Sequence, residues 1–287
     1  MRVALLQGPA ADDVDGALTE VAAGAHAAAA AGARILVCAE LTCTGYRDGT
    51  GPELGPDRAT PGPIARAMSA AARDAGITIA YGYAERSGAS TDGPTYNAVA
   101  VVDADGAVRA HYRKTHLYRP PADDPDAPDD TRFTPGDRLV TQFSLGELTC
   151  GILICYDVEF PEAVRAHALA GTDWLLVPTA LAAPDDHVAT TLVPARAIES
   201  QLFITYVNRV GREPGGRPRT WVTYCGRSCA VAPDGTELVR AGAAGADLLV
   251  TDLDPALLAR SRRRNRYLRD RRPELYRALG ADLESPR

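Results

Sequence analysis

Residues Thr149 to Cys155 form an almost continuous apolar run with one glycine, and the chain passes from it directly into Tyr156-Asp157 and then Glu159-Phe160-Pro161-Glu162. An apolar run this short, bounded by polar segments, predicts a buried strand. Pro161 and the carboxylates around it predict the first turn of a helix, where a missing N–H costs nothing and negative charge is favoured. The stretch therefore predicts strand, tight turn and helix, with Cys155 at the turn. A side chain there is held rigidly, and N–H groups at the helix start are free to face an anion. Two readings of Cys155 follow: a thiol nucleophile, or a small core residue at a strand end. The stretch alone does not choose between them.

The same alternation runs through the chain. Val3–Leu6 and Arg34–Ala39 predict strands on either side of an Ala-rich helix, Asp13 to Ala31, that ends near Gly32. Ile64 to Ala75 predicts a second helix and Ile77 to Ala84 a strand. Tyr96–Val102 and Val108–Tyr112 flank Asp103-Ala104-Asp105-Gly106, a hairpin signal. The acidic, Pro-rich segment Pro120 to Asp130 predicts a surface excursion. Beyond Cys155 come a helix from about Pro161 to Ala170, a strand Trp174–Pro178, a helix Leu192–Gln201 and a strand Leu202–Val207. Arg212–Arg219 predicts a loop, Cys229–Ala232 and Glu237–Arg240 a second hairpin around Pro233-Asp234-Gly235, and Leu248–Leu253 a last strand. Each half thus reads strand, helix, strand, helix, hairpin, which is compatible with an internal two-fold relation. The alternation, with no low-complexity linker, predicts one α/β domain over residues 1–287 with helices covering sheets.

The bulk numbers narrow the function classes. A chain of 287 residues with 46% hydrophobic and 24% charged residues can bury a large core. Its net charge of −6 argues against a general nucleic-acid binder. No run approaches the length of a membrane span. The opening MRVALLQGPA reads as a strand rather than a signal peptide, so the expected location is the cytoplasm. The six cysteines are scattered and contain no C-x2-C pair, so neither zinc nor a disulfide framework is expected.

Three residues of complementary chemistry close three separate predicted strands: Glu40, Lys114 and Cys155. Strand ends of one α/β fold can converge on one pocket. A thiol needs a base, because the thiolate attacks and a free cysteine has a pKa of about 8.5. A partly buried Glu can supply that base. A Lys beside both lowers the thiol pKa and stabilises an oxyanion. No histidine makes a papain-like match; His116, two residues from Lys114, is the one expected near a site, as a member of a loop hydrogen-bond network.

CAELTCTGY (38–46), HYRKTHLY (111–118) and CYDVEFPE (155–162) resemble the three signature segments of the nitrilase superfamily, the carbon–nitrogen hydrolases. Tyr96-Asn97, FTPGD (133–137), WLLVPTA (174–180), ARAIES (195–200), NRVG (208–211), APDG (232–235) and DRRPELY (270–276) are similar to its supporting segments, in the same order. The resemblance covers nearly the whole chain. It implies a four-layer α-β-β-α sandwich and a Glu–Lys–Cys triad that hydrolyses non-peptide C–N bonds without metal or organic cofactor. Carried onto this chain, Glu40 takes the proton of Cys155, and Lys114 with the N–H of Tyr156 holds the oxyanion. Many members carry a second Glu seven positions before the Gly of the F-x-P-G segment. Counting back from Gly136 gives Asp129, shorter than Glu by one C–C bond, about 1.5 Å. Asp130, Asp126 and Asp124 are its alternatives.

CYDVEFPE is most similar to the small-amide amidase branch, whose substrate is a primary amide. An N-carbamoyl-amine hydrolase is the nearest alternative, and an acyltransferase or a non-catalytic interaction protein on the same fold the more distant ones. Tyr46, Glu159, Phe160 and Ala180 are the candidate substrate-binding walls, with core packing or helix capping as their plainer readings. Eight arginines between Arg260 and Arg272 look like a nucleic-acid patch in isolation. Within the resemblance, residues 255–287 are instead a tail at a subunit interface, which implies a homodimer or larger homo-oligomer.

Overall fold

The computed structural model describes residues 1–46, 53–54, 61–86, 93–120, 130–214 and 221–276. The first half contains β1 (Arg2–Gln7), α1 (Val14–Ala30), β2 (Ile35–Val37), β3 (Glu53–Leu54), α2 (Pro63–Ala75), β4 (Thr78–Arg86), β5 (Thr95–Val102) and β6 (Val108–Arg113). Local chemistry sets these bounds. The Asp13 carboxylate accepts from the Gly16 N–H at 2.7 Å and caps α1. Pro63 opens α2, and Gly76 closes it in the left-handed conformation. In the β5–β6 turn, Asp103 Oδ1 accepts from the N–H groups of Asp105 and Ala107.

The second half contains β7 (Gln142–Leu145), β8 (Leu148–Ile152), α3 (Pro161–Leu169), β9 (Trp174–Pro178), α4 (Val193–Ser200), β10 (Phe203–Val207), β11 (Val210–Pro214), β12 (Trp221–Cys225), β13 (Cys229–Val231), β14 (Glu237–Arg240), β15 (Asp247–Asp252) and α5 (Pro255–Arg264). One sheet runs β15-β1-β2-β4-β5-β6, with β3 beside β4. The other runs β7-β8-β9-β10-β13-β14. Each has a parallel trio, β1-β2-β4 or β8-β9-β10, with an antiparallel strand on one flank and an antiparallel pair on the other. The two-fold relation suggested by the order of elements is therefore present in the topology.

Alternation within the first sheet decides the layers. Val3, Leu5, Ile35, Val37, Val99 and Val101 face the second sheet. Ala4, Leu36, Ile79, Tyr81, Ala100 and Val102 face the opposite way, among residues of α1 and α2 such as Val21, Ala25, Ile64 and Met68. Adjacent residues go to opposite faces because the side-chain period of a strand is two. The second sheet packs in turn against α3 and α4 through Ala163, Val164, Val193 and Ala197. The result is the expected four-layer α-β-β-α sandwich.

Three departures from the expected elements have physical causes. The strand expected over Thr149–Cys155 stops at Ile152, because Cys155–Glu159 winds into a 3-10 turn. Gln142–Leu145 forms a strand with little hydrophobic signal, recruited by its antiparallel partner β8. The loop expected from Arg212 is, up to Pro214, a strand whose register with Trp221–Cys225 satisfies its backbone; residues 215–220 lie outside the description. The start of the Arg-rich tail docks on its own chain. Arg262 meets Asp173 at 2.7 Å and the Thr172 carbonyl at 2.9 Å, and Ser261 donates to the Pro233 carbonyl. Among the described residues no helix is long and apolar enough to cross a membrane.

Candidate active site

Glu40 lies just beyond β2, on a backbone held from both sides. Its N–H donates to the Thr179 carbonyl at 3.2 Å, and its carbonyl accepts two bonds from the Arg209 guanidinium at 2.9 and 2.8 Å. Leu41 follows in the left-handed region at φ 48°, and Gly82 admits the turn because a Cβ there would stand 2.5 Å from Leu41 N and 2.7 Å from Ala39 O. Lys114 directly follows β6. Its N–H donates to the Asn97 carbonyl, and its carbonyl accepts from Gly136 of the FTPGD segment. A Cβ on Gly136 would collide with the Arg113 carbonyl, which is why that segment needs glycine. Cys155 opens the 3-10 turn after β8 with φ 45°, a strained value for a residue with a side chain.

The side chains meet in one buried cluster. Glu40 Oε1 accepts from Lys114 Nζ at 2.8 Å, Asn97 Nδ2 at 2.6 Å and Tyr46 Oη at 3.0 Å. Glu40 Oε2 is buried and, among the described residues, has no hydrogen-bond partner. Lys114 Nζ also donates to Asp130 Oδ2 at 2.6 Å, leaving its third proton for another acceptor. Asp130 further accepts from Tyr46 Oη at 3.2 Å and from the Tyr118 N–H at 3.0 Å. Glu40, Lys114, Asp130 and Asn97 are each at most 1% exposed. Asp129 lies outside the described residues; the acid against Lys114 is Asp130, one position on. Asp130 is shorter than a Glu, and the main-chain pairing of Asp130 N–H with the Tyr118 carbonyl brings it close.

The electrostatics follow from burial and charge. Burial pushes the Cys155 thiol pKa well up and the Glu40 charge adds to this, while Lys114 and a main-chain hydrogen bond from Ala180 oppose them. The thiol is therefore protonated near neutral pH. Burial acts to lower the Lys114 pKa, but the Asp130 and Glu40 carboxylates outweigh it and hold the ammonium charged. A neutral thiol, a carboxylate with one free oxygen and a fixed cation can together accept a thiol proton and stabilise a developing oxyanion.

A cavity of about 490 Å³ opens over Cys155. Of the expected walls, Tyr46, Glu159 and Ala180 line it, and so does Tyr156, the residue expected to supply an oxyanion N–H. Phe160 is not in the lining; it stacks on His116 with ring centroids 4.1 Å apart. Tyr156 carries its N–H in the first turn of the 3-10 segment, where no preceding helical carbonyl accepts it. The cavity lining adds Tyr118, which closes the HYRKTHLY segment, and Asp185, His187, Arg212 and Trp221, which no motif announces. Burial raises the Glu159 pKa; His187 works to lower it and Asp185 to raise it. His116 belongs to a hydrogen-bond network through Thr115 and Asp157, as its place in the sequence suggested. Among the described residues, no three His, Cys, Asp or Glu side chains stand close enough to hold a metal ion.

The chain is similar to known proteins over nearly its whole length. Residues 2–263 match the family model described as carbon-nitrogen hydrolase. A Pseudomonas protegens protein described as a hydrolase in the pqqF 5' region is 42% identical over 279 residues, 96% of this chain and 90% of that one. An N-carbamoylputrescine amidase of Arabidopsis thaliana is 30% identical over 96% of this chain and 94% of its own. The solved amidase of Nesterenkonia sp. AN1, whose active-site cysteine has added to acrylamide, superposes with a TM-score of 0.78. It is 32% identical, and the match covers 97% of this chain and 99% of that one. The chain belongs to the carbon–nitrogen hydrolase family, with the nitrilase-superfamily fold, and is a hydrolase acting on amides.

Proposed function

We propose that the protein hydrolyses a small primary amide to a carboxylic acid and ammonia through an acyl-thioester on Cys155. The observation that carries this reading is the Oε2 of Glu40, without a hydrogen-bond partner among the described residues, in a carboxylate whose other oxygen is saturated by Lys114, Asn97 and Tyr46. Such a carboxylate is oriented and has one lone-pair face left for a proton. Glu40 takes the thiol proton as Cys155 sulfur bonds to the amide carbon. The carbonyl electron pair moves to oxygen, where Lys114 and the Tyr156 N–H stabilise it. Collapse breaks the C–N bond, and the proton on Glu40 leaves with the nitrogen as ammonia. Water, deprotonated by the same carboxylate, then attacks the thioester; the C–S bond breaks, the acid leaves, and Glu40 returns the proton to the Cys155 sulfur. Asp130 holds Lys114 and takes the place the family gives to its second Glu.

The Glu159 carboxylate lines the cavity together with Asp185, whose charge it feels. This pair favours neutral or amine-bearing acyl groups over acidic ones. The full-length similarity to an N-carbamoylputrescine amidase favours a second reading, an N-carbamoyl amine substrate cleaved by the same thiol chemistry. Ammonia and carbon dioxide release from panels of primary amides and N-carbamoyl amines separates the two. Ammonia alone, abolished in Cys155→Ala, supports the amidase reading. Stoichiometric carbon dioxide moves the protein to the carbamoyl reading, and activity that survives in Cys155→Ala overturns the mechanism.

A further inference from the structure

Asp157 is fully buried and touches no reacting atom in the proposed chemistry, yet its carboxylate collects five hydrogen bonds. Oδ1 accepts from Thr115 Oγ1 at 2.9 Å, the His116 N–H at 2.8 Å and His116 Nδ1 at 2.9 Å. Oδ2 accepts from Tyr112 Oη at 2.9 Å and from the Ile154 N–H at 3.0 Å. The donors come from two segments. Tyr112, Thr115 and His116 bracket Lys114 at the end of β6 in one sheet. Ile154 precedes Cys155, which follows β8 in the other.

We propose that Asp157 is a positioning residue that sets the separation between the Lys114 ammonium and the Cys155 sulfur, because its two oxygens tie the flanks of both residues to one carboxylate. The proposal rests on the catalytic reading of Lys114 and Cys155 given above. Lys114 is held between two anchored neighbours, and Cys155 between Ile154 and Asp157 itself. The Asp157 N–H returns to the Ile154 carbonyl at 3.0 Å, so the turn that strains Cys155 into φ 45° is closed on both sides. A carboxylate is required for this. It presents two oxygens and about four lone-pair sites and no donor, whereas an amide turns an NH2 group toward donors. His116 is locked into the same assembly by its stack on Phe160, three residues further round the turn from Asp157.

The test is steady-state kinetics, normalised to folded active-site thiol, on Asp157→Asn and on the milder Tyr112→Phe and Thr115→Val. Active-site thiol is counted by mass after labelling with iodoacetamide, with Cys155→Ala as the blank. Each milder variant removes one of the five hydrogen bonds to Asp157, together with the bond between the two hydroxyls and, for Thr115→Val, the bond to His116 Nδ1, and is expected to lower kcat about threefold to tenfold, with KM within about twofold. Asp157→Asn is expected to lower kcat about fiftyfold or more if it folds. A contribution to folding alone would lower the unfolding midpoint and the thiol count but leave kcat per thiol unchanged in all three. That result overturns the proposal, as does a loss confined to KM. If Cys155→Ala itself keeps activity, the catalytic reading fails first, and the two failures are distinguishable.

Discussion

Arg209 grips the main-chain carbonyl of Glu40 with two guanidinium N–H groups at 2.9 and 2.8 Å, in a setting where Arg209 is 2% exposed. The guanidinium is balanced by Glu213, 3.7 Å away and equally buried, and Glu213 is in turn bonded by the Tyr224 hydroxyl. The backbone of the proposed base is therefore fixed by the NRVG segment of the opposite half. A lysine cannot reproduce a fork on one carbonyl. Arg209→Lys is expected to lose about 2 kcal/mol of stability and to lower kcat/KM about tenfold. Thermal unfolding and amide kinetics on the same preparation check both.

Gly82 gives a second handle on the same turn. Its β4 backbone passes so close to the Glu40 loop that a Cβ would meet main-chain atoms of Leu41 and Ala39 at 2.5 and 2.7 Å. Main chain cannot swing aside as a flexible side chain can. Gly82→Ala is expected to cost about 1–3 kcal/mol and to lower kcat more than it raises KM, since the displaced group is the base rather than a pocket wall. Gly76→Ala, where no atom lies within 4 Å of the added Cβ but φ is 64°, is the control for backbone strain without displacement of Glu40.

The thiol and its base separate in the Glu40→Gln variant. The Glu40 charge is, after burial, the main influence raising the Cys155 pKa, so removing it lets the thiol ionise at lower pH. Amide hydrolysis is expected to fall by about 10²–10⁴ for want of a base. Alkylation of Cys155 by iodoacetamide, which needs only thiolate, is expected to persist at least as fast as in the wild type near pH 7. Loss of both together would show that Glu40 serves geometry alone.

His167, which is not part of the cavity lining, supplies a pH dependence of stability. It is fully buried, and burial lowers its pKa to about 4 from 6.5. Above about pH 6.5 neither state carries its proton, so its contribution is complete. As pH falls below that value the unfolded chain binds a proton that the folded chain refuses. Stability drops until about pH 4 and then levels, by at most about 3 kcal/mol. Urea unfolding across this window should show that slope in the wild type and a flatter one in His167→Leu.

In the cavity lining, Glu159→Gln is expected to lower kcat/KM for an amine-bearing amide about tenfold relative to a neutral amide of the same length. Equal effects on both substrates would place Glu159 in the support of the turn, where Arg196 already holds its carbonyl at 2.7 Å.

What was legible in the sequence was whatever local chemistry decides. Helix α2 was readable from Pro63 and Gly76, and the β5–β6 turn from Asp103 and Gly106, because those residues impose backbone conformation wherever they stand. Glu40, Lys114 and Cys155 stood out as candidates because each closes a predicted strand, and the family resemblance singled them out together. β7 was not, since Gln142–Leu145 gains its strand character from pairing with β8 rather than from its own pattern. Asp130 could be named only as one of several acids in the excursion, because the contact with Lys114 depends on how the chain folds back at Tyr118. Arg209 and Asp157 carried no signal of their roles, since each acts across an interface between segments far apart in sequence.

Both sheets contribute to the site: Glu40 and Lys114 leave strands of the first, while Cys155 and Ala180 leave strands of the second. Neither layer alone contains a working set. Under the proposed mechanism, hydrolysis is then a reporter of folding as well as of chemistry, and a chain whose sheets have each formed but not yet docked is expected to be inert. During refolding from denaturant, turnover should reappear with the last closure of the sandwich rather than with the recovery of secondary structure, and the interval between the two signals times the assembly of the layers.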